Sequence, residues 1–358
     1  MKYQNVCVEA FTCTLPEEIV TTDEIERQLE PLYTRLKLPA GRLEMLTGIS
    51  ARRLWSKGKT PGTQSIETVR KLLEQTQIGK DRIGALIHGS VCRDYLEPAT
   101  ACGVHNALNL PPSCFVYDIS NACLGIVSGM IQIAAMIELG HIDAGIAVGT
   151  ESSRPLLETT LRQLNGDFTL TRKSVKSAFA SLTIGSGSAA VLLTNRRLSR
   201  TGNKLLGGSV YAQTQFCHLC RSETDQSGGD AMNPLMQTDS ETLMKEGVAA
   251  AAKCFENFLD ETNWQRQDID KTFCHQVGKA HQRLLFDALK LPDEINFPTL
   301  EYLGNTGSAA LPTAAALGIE QGFVPNGSRV ALLGIGSGIN AVMLGLEWNG
   351  SGINRSGQ

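Results

Sequence analysis

The chain has 358 residues, of which 42% are hydrophobic and 19% charged, enough apolar content for one large core or two coupled ones and too much for a disordered chain. A formal net charge of -3 excludes the strong basic field of a general nucleic-acid or anionic-membrane binder. Its ten cysteines sit mostly inside apolar segments, where a reduced thiol packs as a small hydrophobe, as expected of an intracellular protein.

In chain order, the opening MKYQNVCVEAFTCTLPEE collects Glu9, Glu17 and Glu18 before any long apolar run, unlike a secretory leader, so a cytoplasmic location is expected. Next comes a basic segment in which Arg42, Arg52, Arg53, Lys57 and Lys59 surround Trp55. It reads equally as a solvated face or as a functional surface. The strand-like ALIHGS (85–90) then leads through a helical stretch to ALNLP (107–111). FVYDISNACLGIVSGMIQIAAMIELG (115–140) follows, and AGIAVGTES (144–152) reads as another buried strand. From Cys123 to Gly140 the apolar run approaches a membrane span in length, but Ser128, Gln132 and Glu138 interrupt it, which predicts a helix buried in a large core. Segment 153–182, with Leu156, Leu157, Leu161, Leu164, Phe168 and Phe179, reads as an insertion that could cover an apolar ligand. Farther on, Cys217 and Cys220 lack the second Cys/His pair of a structural zinc site, so no metal is expected.

The second half repeats the first. KTFCHQ (271–276) leads to ALKLP (288–292), then FPTLEYLGNTGSAALPTAAALGIEQG (297–322), then SRVALLGIGSG (328–338). Each copy thus runs strand, helix, Leu-Pro turn, strand, small-residue turn, buried helix, strand, an α/β pattern. In this overlay His88 falls on His275, and Cys123 falls on Asn305. The expected division is an N-terminal half over 1–200, a C-terminal half over 201–349 and a polar tail over 350–358, with the boundary in the turn-rich 195–205 stretch. A pseudo-twofold axis between copies would bring the tips of the two buried helices, and with them Cys123 and Asn305, together.

Cys123 follows a strand and a tight turn at the start of an apolar helix, where unpaired amides and the helix dipole are expected to lower a thiol's pKa and to hold an oxyanion. His275 ends a strand thirty residues before Asn305, so a Cys/His/Asn set can hold a thioester, move a proton and polarise a carbonyl. His88, His105 and His141 read as structural. The Gly-rich LLGIGSGIN (332–340) follows a strand without opening a dinucleotide fingerprint. It is expected to bring backbone close to the site, with an amide near Ser337 or Gly338 completing an oxyanion hole.

Taken together, DISNACLG with Cys123, CHQVG with His275, YLGNTG with Asn305, LGIGSG and TGISARR (47–53) resemble the ketoacyl synthase III branch of the thiolase superfamily, over residues 1 to 349. That resemblance implies a thiolase fold, a duplicated five-layer αβαβα architecture. Gly278 departs from the pattern, since the branch commonly carries Asn three residues after the histidine. SVCRDYLEPATA, with Glu97 before a proline, CHLC (217–220) and TDSETLMKEG (238–247) are similar to the thiolases of bacterial long-chain olefin biosynthesis, which condense two fatty acyl-CoA molecules head to head. This implies a homodimer in which Glu97 reaches the partner's site as the base; without it, Glu97 would be an ordinary surface or capping carboxylate. It also implies a pantetheine tunnel near Arg52, Arg53 and Trp55, where arginine could pair with CoA phosphates and the indole could stack on adenine, or where an acidic acyl carrier protein could dock. The substrate is then acyl-CoA or acyl-ACP, and no cofactor is expected. Three alternatives stay open: decarboxylative condensation by a 3-oxoacyl-ACP synthase III, hydrolysis by a Cys/His/Asn set, and a non-catalytic thiolase-like partner protein.

Overall fold

The computed structural model describes residues 1–222 and 236–351, so residues 352–358 of the expected tail lie outside the described residues. In chain order the elements are β1 (Val6–Thr14), β2 (Glu18–Thr21), α1 (Thr22–Gln28), α2 (Glu30–Leu36), α3 (Arg42–Thr47), β3 (Ala51–Leu54), α4 (Pro61–Thr76), β4 (Ile83–His88), α5 (Thr100–Leu108), β5 (Phe115–Asp118), α6 (Gly125–Glu138) and β6 (Ala144–Glu151). They continue with α7 (Arg154–Gly166), β7 (Gly187–Asn195), β8 (Lys204–Ala212), β9 (Cys220–Ser222), β10 (Met236–Thr238), α8 (Ser240–Thr262), β11 (Lys271–Cys274), α9 (Lys279–Leu289), α10 (Leu300–Leu303), α11 (Ala310–Glu320), β12 (Ser328–Gly336) and β13 (Asn340–Trp348).

The main sheet has nine strands in the order β11-β12-β13-β8-β1-β7-β6-β4-β5, and the duplication is written in its strand directions. In the first copy β5, β4 and β6 are parallel, while β7 is antiparallel to both β6 and β1. In the second, β11 and β12 are parallel, β13 is antiparallel to β12, and β8 is antiparallel to β13. The counterpart of β5 is reduced to one parallel bridge between Thr272 and Asn296. β1 and β8 join the copies through the single pair Cys7–Lys204.

Both faces of each half-sheet carry helices, so strands such as β6, β7 and β12 are buried along nearly their whole length. Ala85 and Ile87 of β4 face a central cluster that also holds Ile126, Met130 and Ile133 of α6, Leu311 and Ala314 of α11, and Leu332 of β12. Leu86, between them in sequence, faces Val69 and Leu72 of α4 and Val104 of α5. Leu333 likewise turns from the centre toward Phe255 and Phe258 of α8 and Phe286 of α9. The layers are therefore α4/α5, half-sheet, α6/α11, half-sheet, α8/α9, the expected five-layer thiolase arrangement. Each fully buried aliphatic side chain contributes roughly 1.5–3 kcal/mol, so the central pair of helices is the best-anchored part of the molecule.

Segment 153–182 forms a compact cap together with the first helices of the chain. Leu157, Leu161, Leu164, Val175 and Phe179 pack with Ile25 of α1, Leu32 of α2 and Leu29 between them into a cluster of their own. Leu156 and Phe168 stay outside the cluster, and Phe168, 78% exposed, lies under the guanidinium of Arg35. The α1–α3 half of this cap carried no distinct signal in the sequence.

Candidate active site

Every candidate catalytic group except Asn305 follows the carboxyl end of a parallel strand or lies at it, the edge where α/β sheets place ligands. The loop carrying Glu97 leaves β4, Cys123 follows β5, His275 follows β11 and Ser337 follows β12. Asn305 comes after the Asn296 bridge that stands in for β5 in the second copy.

The helix predicted to begin at Cys123 begins instead at Gly125, and Ala122–Leu124 forms a short 3-10 turn ahead of it. Ala122 takes the left-handed conformation at φ 43°, the sharp corner that presents Cys123. Behind it, backbone touches backbone: a Cβ on Gly125 would lie 2.6 Å from the carbonyl carbon of Gly89, so only glycine lets α6 seat against the end of β4. Leu124 fills the space above Gly334 and Gly336, where an added Cβ would meet its side chain at 2.7 and 3.0 Å. This close approach brings the Ser337 amide onto the Cys123 thiol, which also receives its own backbone amide. Gly338, at φ 81°, completes the turn.

These amides do not produce the low thiol pKa expected from the sequence. Burial pushes Cys123 up to about 12, helped by the negative charge of Glu151 and by the Cys220 thiol, and the two amides only partly offset this. Desolvation of a thiolate outweighs a single short turn of amides. Cys220, read from sequence as core packing, is thus a neighbour of the nucleophile, and Ser337 Oγ donates to its sulfur at 3.4 Å.

His275 is 3% exposed, and neither ring nitrogen has a hydrogen-bond partner among the described residues. Burial, and secondarily the charge of His281, lower it to about 3, so the ring is neutral throughout the physiological range. Its amide donates to Leu333 O, holding it beside β12. The next residue, Gln276, was missed from sequence. Its side chain accepts from Thr299 N and Leu300 N and donates to Phe297 O, fastening the strand end to the chain that leads to Asn305.

Asn305 is held on both sides, its N–H donating to Thr183 O and its carbonyl accepting from Gly185 N. Its Oδ1 accepts from Gly307 N, which leaves the amide NH2 as the group it can offer a ligand. The turn after it contacts the 3-10 turn of Cys123, so the two helix tips meet as the duplication predicts. Glu97 is exposed and pairs with no group among the described residues.

Two substrate-contact expectations are corrected. Arg52 is fully buried, donating to Thr22 Oγ1 and Leu182 O, so it presents no guanidinium to a CoA phosphate. Trp55 is 6% exposed and donates through Nε1 to Glu151 O, so its ring face is not available to adenine. For Arg52 the reason is the strand period: β3 alternates inward and outward residues, and Arg52 falls on the inward side. Arg53 points the other way, half-buried, with one guanidinium nitrogen on Pro16 O. No cluster of His, Cys, Asp or Glu suited to a metal occurs among the described residues.

Fold and site together define a thiolase-fold condensing enzyme. Residues 63–163 match the thiolase N-terminal domain, and residues 259–348 match the 3-oxoacyl-[acyl-carrier-protein] synthase III C-terminal domain. The chain is 40% identical to the acyl-CoA:acyl-CoA alkyltransferase of Shewanella oneidensis, over 97% of this chain and 100% of that one. It is 32% identical to the enzyme of that name in Xanthomonas campestris, again over 97% and 100%. A crystal structure of Xanthomonas campestris OleA with bound lauric acid and lauroyl-CoA superposes with a TM-score of 0.90 at 31% identity, covering 97% of this chain and 100% of that one. The chain belongs to the acyl-CoA:acyl-CoA alkyltransferase family.

Proposed function

We propose that the chain joins two fatty acyl-CoA thioesters head to head by non-decarboxylative Claisen condensation, through an acyl thioester on Cys123. One observation carries this reading: a thiol flanked by backbone amides sits in a turn that contacts the turn after Asn305, and a buried neutral imidazole, unpartnered among the described residues, ends the second copy's matching strand.

In the first stage the Cys123 sulfur attacks the thioester carbon of one acyl-CoA, the amides of Cys123 and the Ser337–Gly338 turn hold the oxyanion, and CoA leaves carrying the thiol proton. In the second, another acyl-CoA places its thioester oxygen at His275 and Asn305. A neutral imidazole and a carboxamide NH2 both donate hydrogen bonds, which is what an enolate oxygen requires. Glu97 of the partner subunit removes the α-proton, and the carbanion attacks the acyl-Cys carbonyl and expels the Cys123 thiolate. The product is a β-keto thioester or, after hydrolysis, the β-keto acid.

The homodimer in this scheme is supported by the surface around Glu97. Val91, Tyr95 and Leu96 on its loop are 52%, 66% and 51% exposed, and Phe115 on the edge strand β5 is 49% exposed. Large apolar residues gathered beside an open sheet edge fit an interface with a second copy. The reduced thiols suit the cytoplasm, and among the described residues no helix is long and apolar enough to cross a membrane. Arg53 is the remaining candidate for a CoA phosphate, and an acyl carrier protein could present the same thioester there.

Decarboxylative condensation is the second reading, favoured by 26% identity to the β-ketoacyl-[acyl-carrier-protein] synthase III of Pseudomonas aeruginosa over 75% of this chain. Mass spectrometry of products decides. Purified enzyme given myristoyl-CoA alone is expected to yield the β-keto product or the symmetrical ketone left when it loses carbon dioxide. Product only when malonyl-ACP is added would replace this reading with the decarboxylative one.

A further inference from the structure

Glu151 ends β6, a strand buried along its whole length, and is itself 6% exposed. Its Oε1 accepts from Val91 N at 3.1 Å, from Ser308 N at 3.2 Å and from Ser308 Oγ at 2.7 Å. Its Oε2 accepts from Cys92 N at 3.3 Å. Two of these donors begin the loop that carries Glu97, and two belong to the turn immediately after Asn305. A Cβ on Gly307 would meet the carboxylate at 3.0 Å, so that turn lies against it without clearance. The strand end is held from behind by Trp55, whose indole donates to the Glu151 carbonyl.

We propose that Glu151 is a positioning residue for the condensation: one buried carboxylate sets the Asn305 turn of its own site and the root of the loop that delivers Glu97. This rests on the assignment of Asn305 and Glu97 made above. A buried carboxylate is tolerated when its lone pairs are filled, and here four donors fill them. Because those donors come from two segments far apart in sequence, the same interactions that satisfy the charge fix the segments relative to each other. A displacement of about 1 Å in such a turn costs roughly a hundredfold in rate when it carries a group that must meet a developing charge. The carboxylate also faces Cys123, where it and Cys220 oppose ionisation while the Cys123 and Ser337 amides favour it. Glu151 therefore leaves a signature on the thiol that a purely structural residue would not.

Two variants separate the position of the charge from its presence. Glu151→Gln keeps the length but loses the charge and one acceptor. It is expected still to form acyl-Cys123 and to condense about tenfold or more slowly, while its Cys123 is alkylated by iodoacetamide several-fold faster at pH 8. Glu151→Asp keeps the charge but is too short to reach both segments, so condensation falls while the alkylation profile stays near wild type. If Glu151→Gln does not fold, Ser308→Ala decides, since it removes one hydroxyl donor and buries no new charge. The expectation there is a fall in kcat of about three- to tenfold with KM unchanged. Asn305→Ala is measured alongside. If it is impaired while the foldable variants among Glu151→Gln, Glu151→Asp and Ser308→Ala condense at the wild-type rate, the inference is overturned alone. A full-rate Asn305→Ala overturns the assignment of Asn305 and this inference with it.

Discussion

The two copies place a buried histidine at the end of matching strands, and they treat it in opposite ways. His88, the last residue of β4, has Asp118 Oδ1 at 4.0 Å and Ser90 Oγ at 3.5 Å from its Nδ1 while its Nε2 is unpartnered, whereas His275, after β11, has no partner on either nitrogen among the described residues. Burial lowers the pKa of both, but Asp118 pulls His88 back toward its protonated form and nothing does so for His275. The helix tips diverge too. The first copy puts a thiol on a left-handed corner ahead of α6, and the second puts a carboxamide before α11. Duplication supplies two equivalent sockets, and they diverge when one copy's imidazole is engaged through Nδ1 by a carboxylate and a hydroxyl while the other's keeps both nitrogens for a ligand. An orphaned buried donor costs about 1–3 kcal/mol, a cost the framework around His275 tolerates because five layers of packing surround it.

The largest effect expected on this contrast is at the first tip. Cys123→Ala should abolish condensation, with no acyl adduct by mass spectrometry and a near-native far-UV spectrum, since a small half-buried side chain is lost and nothing else moves. A variant with unaltered product formation would sink the acyl-enzyme route. Next, Glu97→Gln should keep acyl-Cys123 but lose about a hundred- to ten-thousandfold in carbon–carbon bond formation. Co-expressing it with Cys123→Ala and isolating heterodimers should restore part of the activity, because one of the two sites then holds both groups. Heterodimers that stay inactive remove the shared site.

The histidines provide the direct test. His275→Ala should cost about a hundred- to a thousandfold in condensation, the loss of one oxyanion donor, without lowering stability much. His88→Ala should do the reverse, losing about 1–3 kcal/mol of stability by denaturant titration while the folded fraction turns over within a few-fold of wild type. Equal kinetic losses at both positions would break the distinction drawn between them. The pH dependence adds a sign. Because His275 is lowered to about 3, its ring stays neutral from pH 5 to 9, and kcat/KM should show no break near the ordinary histidine value. Because Cys123 is raised to about 12, its alkylation rate should still be climbing between pH 8 and 10 rather than levelling off.

Much of this was legible in the sequence for a physical reason. A repeat that preserves strand, turn and buried helix also preserves where the turns go, so overlaying Cys123 on Asn305 was enough to predict that the helix tips meet. What was not legible depends on direction and distance. Glu151 was hidden as the last residue of an apolar strand, although a carboxylate closing AGIAVGTES is itself an anomaly that burial had to satisfy. The thiol's pKa failed for a related reason: the amides could be anticipated from the turn, but not how deeply the sulfur lies or that Glu151 and Cys220 face it. Arg52 failed because four residues of strand do not reveal which face is inward, and Trp55 failed because just past the strand the alternation breaks and its indole is taken by the Glu151 carbonyl.

That last ambiguity gives the smallest and most local prediction, on two adjacent arginines that the strand period separates. Arg52→Ala should leave KM for acyl-CoA unchanged in the folded enzyme and cost about 1.5–3 kcal/mol of stability, since charge-assisted hydrogen bonds to Thr22 and Leu182 disappear from a fully buried site. Arg53→Ala should leave stability within about 0.5 kcal/mol and raise KM for acyl-CoA by about two- to fivefold, the worth of one solvent-screened ion pair with a phosphate. Screening makes the effect diagnostic, because at high ionic strength the two KM values should converge as the exposed pair is attenuated. A KM that does not respond to Arg53→Ala at low salt would mean that the basic segment is a solvated face. CoA would then have to be gripped elsewhere, with Lys57 and Lys59 the next residues to test.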